Sequence, residues 1–285
     1  MERLLKYCLS FVILSNILYS CDTKSALDSE SKRHQAEKVY KKAIRYYQGT
    51  EEFQNGIIDA IHIDSTYDEA IRELSIAYLK RGYPHEWKKR IDKAVELNPI
   101  IWQGYRGYNY LWFYRDYKRA IADFDATDTL NPNFIDQPQG HSVDYWRGIA
   151  YLGLKDYKNS LHYFNKYIDT ETKEWGEDIV EVTGFLYRGI ALYDTGKYDK
   201  ALEDFDKLLK YNRGQSADSK YYKALILKNT EPSNAKSLIA SAIVDFKNGY
   251  YNQRPYVETL RQIYLEDLEN LQKDLLNQTH IAIEF

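Results

Sequence analysis

A three-residue motif recurs at a constant interval and constrains the fold more than any other feature of the chain. An aromatic residue, an arginine and a glycine occur together at residues 105–107, 146–148 and 187–189, so that successive copies lie 41 positions apart. Each triplet is followed by a second shared pattern, in which a tyrosine precedes a small residue by three positions and a phenylalanine by seven. Self-similarity with a period of about 20 to 50 residues is typical of repeat proteins, because one unit cannot bury its own apolar face and must stack on neighbours. We therefore expect stacked repeats with an extended binding surface rather than a catalytic pocket.

The two patterns resemble the tetratricopeptide repeat family, whose unit is a pair of antiparallel helices, here called A and B. In that family a small residue lies where helix A crosses helix B, a tyrosine lies in the turn, and a small residue and an aromatic residue follow on helix B. The matching residues are the glycines Gly107, Gly148 and Gly189, the turn tyrosines Tyr117, Tyr157 and Tyr198, the small residues Ala120, Ser160 and Ala201, and the phenylalanines Phe124, Phe164 and Phe205. The resemblance implies an all-α fold, a right-handed superhelical solenoid of helix-turn-helix repeats.

Weaker patterns extend the repeats towards both ends of the chain. We expect about five repeats over residues 34–214, of which the first is a degenerate helix pair. Residues 215–285 are expected to contain a degenerate sixth repeat, a capping helix that begins at Pro255, and a tail, because the open end of a repeat stack must be covered. The connections at 133–141 and 170–177 are longer than the family unit requires, which predicts surface loops or extra helical turns.

The N-terminal residues have the pattern of a secretory signal. Arg3 and Lys6 precede an apolar run at 9–18 that is too short to span a membrane, and the run ends at Leu-Tyr-Ser-Cys, residues 18–21. This sequence resembles the lipobox of bacterial lipoproteins, which implies removal of residues 1–20, attachment of a diacylglycerol to Cys21, and a flexible tether over 21–33. The expected location is the bacterial cell envelope, at the outer membrane in preference to the inner membrane. The alternative is a secreted protein in which Cys21 has no role.

In the resembled family the concave surface is formed by helix A and binds partners. Transfer of the family positions, with the crossing glycine as reference, predicts nine partner-binding residues. They are Tyr108, Leu111, Trp112, Tyr145, Ile149, Leu152, Leu186, Ile190 and Tyr193. An apolar and aromatic surface of this kind suits an amphipathic helix or an extended apolar segment. Two alternatives stay open, because neighbouring repeats or the chain's own tail (Ile281, Ile283 and Phe285) could cover the same residues.

The arginines of the three triplets, Arg106, Arg147 and Arg188, could form an anion-binding ladder. The favoured interpretation is structural, since helix B offers aspartates as ion-pair partners and part-buried arginine is usually paired. The fourth repeat lacks those aspartates on its own helix B, which predicts that Arg147 is the least paired of the three.

Composition and motifs exclude several classes of function. The formal net charge is −3 and no basic stripe is present, so nucleic acid is not an expected partner. The six histidines have no metal-ligand spacing, and neither a nucleophile elbow nor a phosphate-binding loop is found, so we expect no enzyme and no cofactor. The leading expectation is a lipid-anchored scaffold that binds a protein or peptide. The alternatives are a glycan- or small-ligand-binding lipoprotein and an immunity lipoprotein for a dedicated toxin, and the oligomeric state is open.

Overall fold

The computed structural model describes residues 28–281, and this part of the chain is built from α-helices. One isolated bridge, between Arg254 and Val257, is the only β-type pairing among the described residues. The chain divides into two compact units, the first ending at Trp102 and the second beginning at Gln103. No helix in the described part is both long and apolar enough to cross a membrane. The all-α repeat fold predicted from the sequence is confirmed.

The first unit contains two helix pairs. Its helices are α1 (28–43), α2 (Glu51–Ile63), α3 (Asp68–Lys80) and α4 (Pro84–Leu97). The side chain of Thr50 caps α2 by accepting a hydrogen bond from the backbone N–H of Phe53, and proline occupies the first turn of α4, where its missing N–H costs nothing. Phe53, Ile57 and Ala60 of α2 are buried against Tyr40 of α1 and form the core of this unit.

The second unit contains four further helix pairs and a final helix. Its helices are α5 (Pro99–Phe113, which begins in the first unit), α6 (Tyr117–Leu130), α7 (Val143–Gly153), α8 (Tyr157–Trp175), α9 (Val182–Asp194), α10 (Tyr198–Tyr211), α11 (Ala217–Leu227), α12 (Pro232–Lys247) and α13 (Leu265–Ile281). Aspartates at the turns, Asp116 and Asp156, cap α6 and α8 with their side chains. The odd-numbered helices α5 to α11 are helices A, and each is followed by its helix B.

The crossing glycines allow helices A and B to approach closely. The rings of Phe124, Phe164 and Phe205 are fully buried, and each lies where a side chain on the facing glycine would project. A Cβ atom on Gly148 would lie 2.7 Å from the ring of Phe164, a distance that real Cβ atoms do not adopt. The repeat pattern therefore encodes a steric contact between two helices.

The two long connections contain helical turns, as predicted. In the connection at 133–141, a short 3-10 helix spans Pro138–Gly140. In the connection at 170–177, helix α8 continues to Trp175, and a second 3-10 helix follows at Glu177–Ile179. The 3-10 helix at Pro138–Gly140 supports the core directly, because the carbonyl of Pro138 accepts a hydrogen bond of 2.9 Å from the indole N–H of Trp146.

The prediction that the capping helix begins at Pro255 is wrong. The last helix begins at Leu265, and the ten residues before it form a non-helical stretch with tight turns at 255–256 and 260–261. Proline fixes φ for the first central position of such a turn, and Tyr256 adopts a positive φ of 68° at the second. Hydrogen bonds to the helices of the second unit, described below, hold this stretch outside a helix. Helix α13 itself covers α11 and α12 with Leu268, Leu271 and Leu275.

The predicted tail residues Ile283 and Phe285 lie outside the described residues. The lipidation residue Cys21 and the signal sequence before it also lie outside them. These predictions are therefore taken up again only as proposals.

We predict that Gly148→Ala lowers the free energy of unfolding by about 1 to 3 kcal/mol, because the added methyl group overlaps the buried ring of Phe164. Urea unfolding of Gly148→Ala, Phe164→Leu and the double variant measures the coupling between the two positions. The double variant should be more stable than the sum of the two single effects predicts. Strict additivity of the two effects would contradict a direct steric contact.

Candidate functional site

The connection between α12 and α13 lies along the helix-A face of the second unit. We call residues 249–264 the inner segment. Its side chains and backbone contact Tyr108 of α5, Tyr187 of α9 and Asp218 of α11, all of which belong to helices A. The face that the sequence predicts to bind a partner is thus occupied by an extended part of the chain itself.

The centre of this contact is Arg254, which lies among three aromatic rings. Its guanidinium carbon is 5.5 Å from the ring centroid of Tyr108, 4.5 Å from that of Trp112 and 5.4 Å from that of Trp146. Its Nη2 also donates a hydrogen bond of 3.1 Å to the hydroxyl of Tyr108. We call the three rings the aromatic cage. The negative faces of aromatic rings attract a cation at these distances, and the attraction grows when the site is shielded from water.

The rings of the cage also hold one another in place. The centroid of Trp146 is 5.2 Å from Tyr108 and 6.1 Å from Trp112, both in edge-to-face orientation. Trp146 is fully buried and Trp112 is 4 % exposed, so neither ring can reorient freely. The cage is therefore a rigid, preformed site rather than a flexible surface.

His141, in the loop before α7, extends this aromatic cluster. Its ring centroid is 5.1 Å from that of Tyr145 and 5.2 Å from that of Trp146. Burial lowers the pKa of His141 below its usual range; the charge of Glu181 opposes this shift, and that of Arg254 adds to it. A neutral imidazole beside the cage avoids repulsion of the guanidinium.

Polar contacts hold the inner segment on both sides of Arg254. The side chain of Asn252 donates to the hydroxyl of Tyr187 over 2.8 Å, and its backbone N–H donates to Asp218 Oδ2 over 2.8 Å. Further along, Glu258 forms an ion pair with Arg115. These groups anchor the inner segment by a backbone hydrogen bond and by a few side chains, as bound peptides are commonly anchored.

A further ion pair, between Arg261 and Asp194, secures the end of the inner segment. Arg261 has a positive φ of 58°, the second left-handed residue of the segment that is not glycine. Such a backbone conformation costs on the order of 1 to 3 kcal/mol and persists only where the surrounding contacts determine it.

The structure places the nine predicted residues as follows. Seven of them, Leu111, Trp112, Tyr145, Ile149, Leu152, Leu186 and Ile190, are at most 4 % exposed. Tyr108 and Trp112 form part of the cage, and the hydroxyls of Tyr145 and Thr183 hydrogen-bond over 2.6 Å. Tyr193 packs against Tyr198 and Tyr222, away from the cage contacts. The aliphatic members are core residues, and their assignment to partner binding stays a prediction.

Sequence reasoning missed Arg254, Asn252 and Asp218, and it did not assign Trp146 to the site. Trp146 could have been found, because it is the aromatic member of a repeated triplet. Arg254 offered no such signal, since it follows the last repeat and its contact with Tyr108 joins residues 146 positions apart.

The prediction for Arg147 is wrong, because it is the most heavily paired of the three triplet arginines. Its side chain is fully buried and forms ion pairs with Asp125 at 2.9 Å, Asp128 at 2.7 Å and Asp144 at 2.9 Å. It also donates to the backbone carbonyl of Phe124 over 2.6 Å. Two of the acids come from α6, the helix B of the preceding repeat. Their pairing with Arg147 therefore depends on how the repeats stack and not on the arginine's own helix B.

The other two triplet arginines are paired as expected, each with one aspartate of its own helix B. Arg106 contacts both carboxylate oxygens of Asp123, and Arg188 contacts both of Asp204. The ladder is a set of structural ion pairs, so these contacts leave no anion-binding row on this unit.

A second groove lies on the opposite, helix-B side of the second unit. It has a volume of about 740 Å³ and lies between α8 and α10, lined in part by Lys158, His162, Lys200 and Glu203. Its lining is polar and of mixed charge. Among residues 28–281, no cluster of three or more metal-ligating side chains is present at this or any other place.

Comparison with known proteins agrees with this geometry. A sequence profile of the tetratricopeptide repeat matches residues 182–214, which contain α9 and α10. This helix pair is a tetratricopeptide repeat. The resemblance to that family is confirmed, since the pairs α5–α6 and α7–α8 carry the same crossing glycine and phenylalanine. No curated protein sequence matches the chain significantly.

Solved structures of tetratricopeptide repeat proteins share the fold. The type IV pilus biogenesis factor PilW is 15 % identical, with a TM-score of 0.60 over 74 % of this chain and 94 % of that chain. Pseudomonas aeruginosa PilF is 19 % identical, with a TM-score of 0.57 over 76 % and 93 %. Yeast Tom70 is 15 % identical, with a TM-score of 0.55 over 89 % of this chain and 48 % of that chain. Identities this low establish the fold alone.

We predict that Asp218 makes the stability of the protein depend on pH. Burial raises the pKa of its carboxyl to about 6, although the Asn252 N–H bond opposes the shift. Because the folded pKa exceeds the unfolded value, the contribution of Asp218 to stability is most favourable below about pH 4 and is lost as the pH rises through 6. The loss is about 3 kcal/mol, from the pKa difference and the free energy per pKa unit.

The variant Asp218→Asn keeps an acceptor for the Asn252 N–H but cannot ionise. Its advantage in unfolding free energy over wild type should therefore grow by about 2 kcal/mol between pH 4 and pH 7, measured by urea unfolding at each pH. An advantage that does not change with pH would show that Asp218 ionises as an exposed carboxyl does.

Proposed function

We propose that this protein is a non-enzymatic scaffold that binds an extended segment of a partner protein on the helix-A face of its second unit. A lipid on Cys21 holds it at the membrane of a bacterial cell envelope. The observation that supports the binding role is the inner segment, a non-helical stretch that already lies on this face and is held by hydrogen bonds, ion pairs and the aromatic cage.

The chemistry of the face suits protein recognition. Tyrosine, tryptophan and arginine are the residues that most often dominate the energy of protein interfaces, and here they converge at one rigid point, the aromatic cage. Beside it, a cavity of about 280 Å³ extends along α9 and α11, lined by Val182, Thr183 and Leu186 together with the inner segment. The cage can bind one side chain firmly, and the cavity can accept its neighbours.

The anchor is proposed from the lipobox-like sequence at residues 18–21. A single thiol at the mature end of an exported chain has a clear use as the site of lipid attachment. We place the protein at the outer membrane in preference to the inner membrane. PilW, a structural relative, is described as a pilus biogenesis factor, and we propose a comparable class of role for this chain, in the assembly of an envelope structure.

Glycan binding has less support than protein binding. Stacking on sugars requires exposed aromatic rings, and Trp87, Trp112 and Trp146 are each at most 4 % exposed. Trp175, which is 67 % exposed, lies alone at the end of α8 rather than beside the cage. No observation favours the immunity role over the scaffold.

The proposal is tested by site-specific photocrosslinking in cells that express the full chain. A photoreactive residue at position 182 lies beside the cavity on the helix-A face, and one at position 158 lies on the helix-B side as a matched control. We expect one protein to be crosslinked from position 182 and not from position 158. A product found only from position 158 would contradict binding on the helix-A face.

The same experiment tests the anchor when Cys21→Ala is introduced. Loss of the lipid should release the protein from the membrane fraction, or leave it unprocessed, and reduce crosslinking to an envelope partner. Normal processing and unchanged membrane association of Cys21→Ala would refute the anchor without affecting the binding face.

A further inference from the structure

The contacts of Arg254 differ from those of the triplet arginines, whose side chains are also partly or fully buried. Arg106, Arg147 and Arg188 each pair with at least one carboxylate, whereas none of the ion pairs found within residues 28–281 includes Arg254. Its charge is balanced by three ring faces and one phenol oxygen. A planar guanidinium stacks on rings and is more weakly hydrated than an ammonium, so this environment selects arginine over lysine.

The inner segment does not satisfy the site completely. The indole N–H of Trp112, one of the cage rings, is buried and has no acceptor among the described residues. A buried donor without a partner costs about 1 to 3 kcal/mol. A ligand that supplies a carbonyl at this point would therefore gain free energy that the inner segment does not.

Two features of the inner segment favour its opening. Tyr256 and Arg261 have left-handed backbone conformations, which strain a residue other than glycine. The Arg115–Glu258 ion pair is 46 % exposed on both sides, and exposed pairs of this kind contribute about 0 to 1 kcal/mol. Non-helical segments held in part by exposed ion pairs and strained backbone open at lower free energy than the core helices.

We propose that the aromatic cage is an arginine-binding subsite and that the inner segment is its internal occupant, which a partner displaces. The partner presents an arginine within an extended segment, and its guanidinium replaces that of Arg254 among Tyr108, Trp112 and Trp146. This inference rests on the proposed function, and it adds the chemical class of the partner and the way in which the site is kept closed.

The tether makes the inner segment a strong competitor. A segment joined by a short connection acts at an effective concentration on the order of millimolar, so a partner must bind well to displace it. The apparent affinity is reduced in proportion to the fraction of molecules in which the cage is open. Removal of the Arg254 side chain empties the cage and should raise the affinity for a partner segment added in solution.

The test uses the full chain and a synthetic peptide with the sequence of residues 249–262, which includes Arg254. Calorimetric titration measures its binding to wild type, to Arg254→Ala and to Arg119→Ala, an exposed arginine of α6 that serves as the matched control. A second peptide carries citrulline, the uncharged analogue of arginine, at position 254.

We expect Arg254→Ala to bind the arginine peptide at least tenfold more tightly than wild type or Arg119→Ala does. We also expect the arginine peptide to bind Arg254→Ala at least tenfold more tightly than the citrulline peptide. Should Arg254→Ala fail to fold, Glu258→Ala removes the Arg115 ion pair, leaves the cage rings in place and should increase peptide affinity for the same reason.

The contrary outcomes separate the two proposals. Equal binding of both peptides to Arg254→Ala would overturn the arginine subsite but leave the face as a binder of extended segments. Equal binding of the arginine peptide to wild type and to Arg254→Ala would overturn the competition by the inner segment. Absence of binding by either peptide to a folded Arg254→Ala would overturn both the subsite and the proposed binding face.

Discussion

The close contact between a glycine of helix A and a phenylalanine of helix B is the constraint on which the second unit depends. A Cβ atom on Gly107, Gly148 or Gly189 would lie between 2.6 and 2.8 Å from the facing ring, so the spacing of each helix pair is set by the absence of a side chain. Because three successive pairs share this spacing, their helices A follow one another along one face. That arrangement brings Tyr108 of α5, Trp146 of α7 and Tyr187 of α9 within reach of a single extended segment.

The aromatic cage illustrates how a repeat fold can create a specific site. Residues at the same position of successive repeats are similar, so a repeat alone produces a periodic surface. Trp112 and Tyr108 contribute two rings to the cage, and both depart from the repeat pattern. The later repeats have Gly153 and Asp194 at the position of Trp112, and Ile149 and Ile190 at the position of Tyr108. The cage thus arises where the periodicity is broken, and Arg254 lies there.

The parts of the fold that could be predicted from the sequence are those that depend on short-range pattern. The crossing glycines, the turn tyrosines and the helix-B phenylalanines lie within one repeat, and the structure confirms their roles. The pairing of Arg147 could not be found in this way, because two of its acids belong to the preceding repeat.

The conformation of the inner segment depends even less on local sequence pattern. The apolar spacing after Pro255 suited a helix, but that proline lies in a turn, and the helix begins only at Leu265. What holds the segment outside a helix is a set of contacts with helices that are up to 146 positions distant in sequence. Local propensity is a weak guide wherever tertiary contacts of this kind decide the conformation.

The central claim is that the inner segment occupies its face reversibly. Hydrogen–deuterium exchange of the unmodified protein measures this directly, through the backbone amide of Asn252, which is bonded to Asp218. Reversible occupancy predicts that this amide exchanges by local opening, much faster than the amides of α9 beneath it, with a free energy well below that of global unfolding. Exchange of Asn252 only at the rate of the α9 amides would contradict the claim and make the inner segment a permanent part of the core.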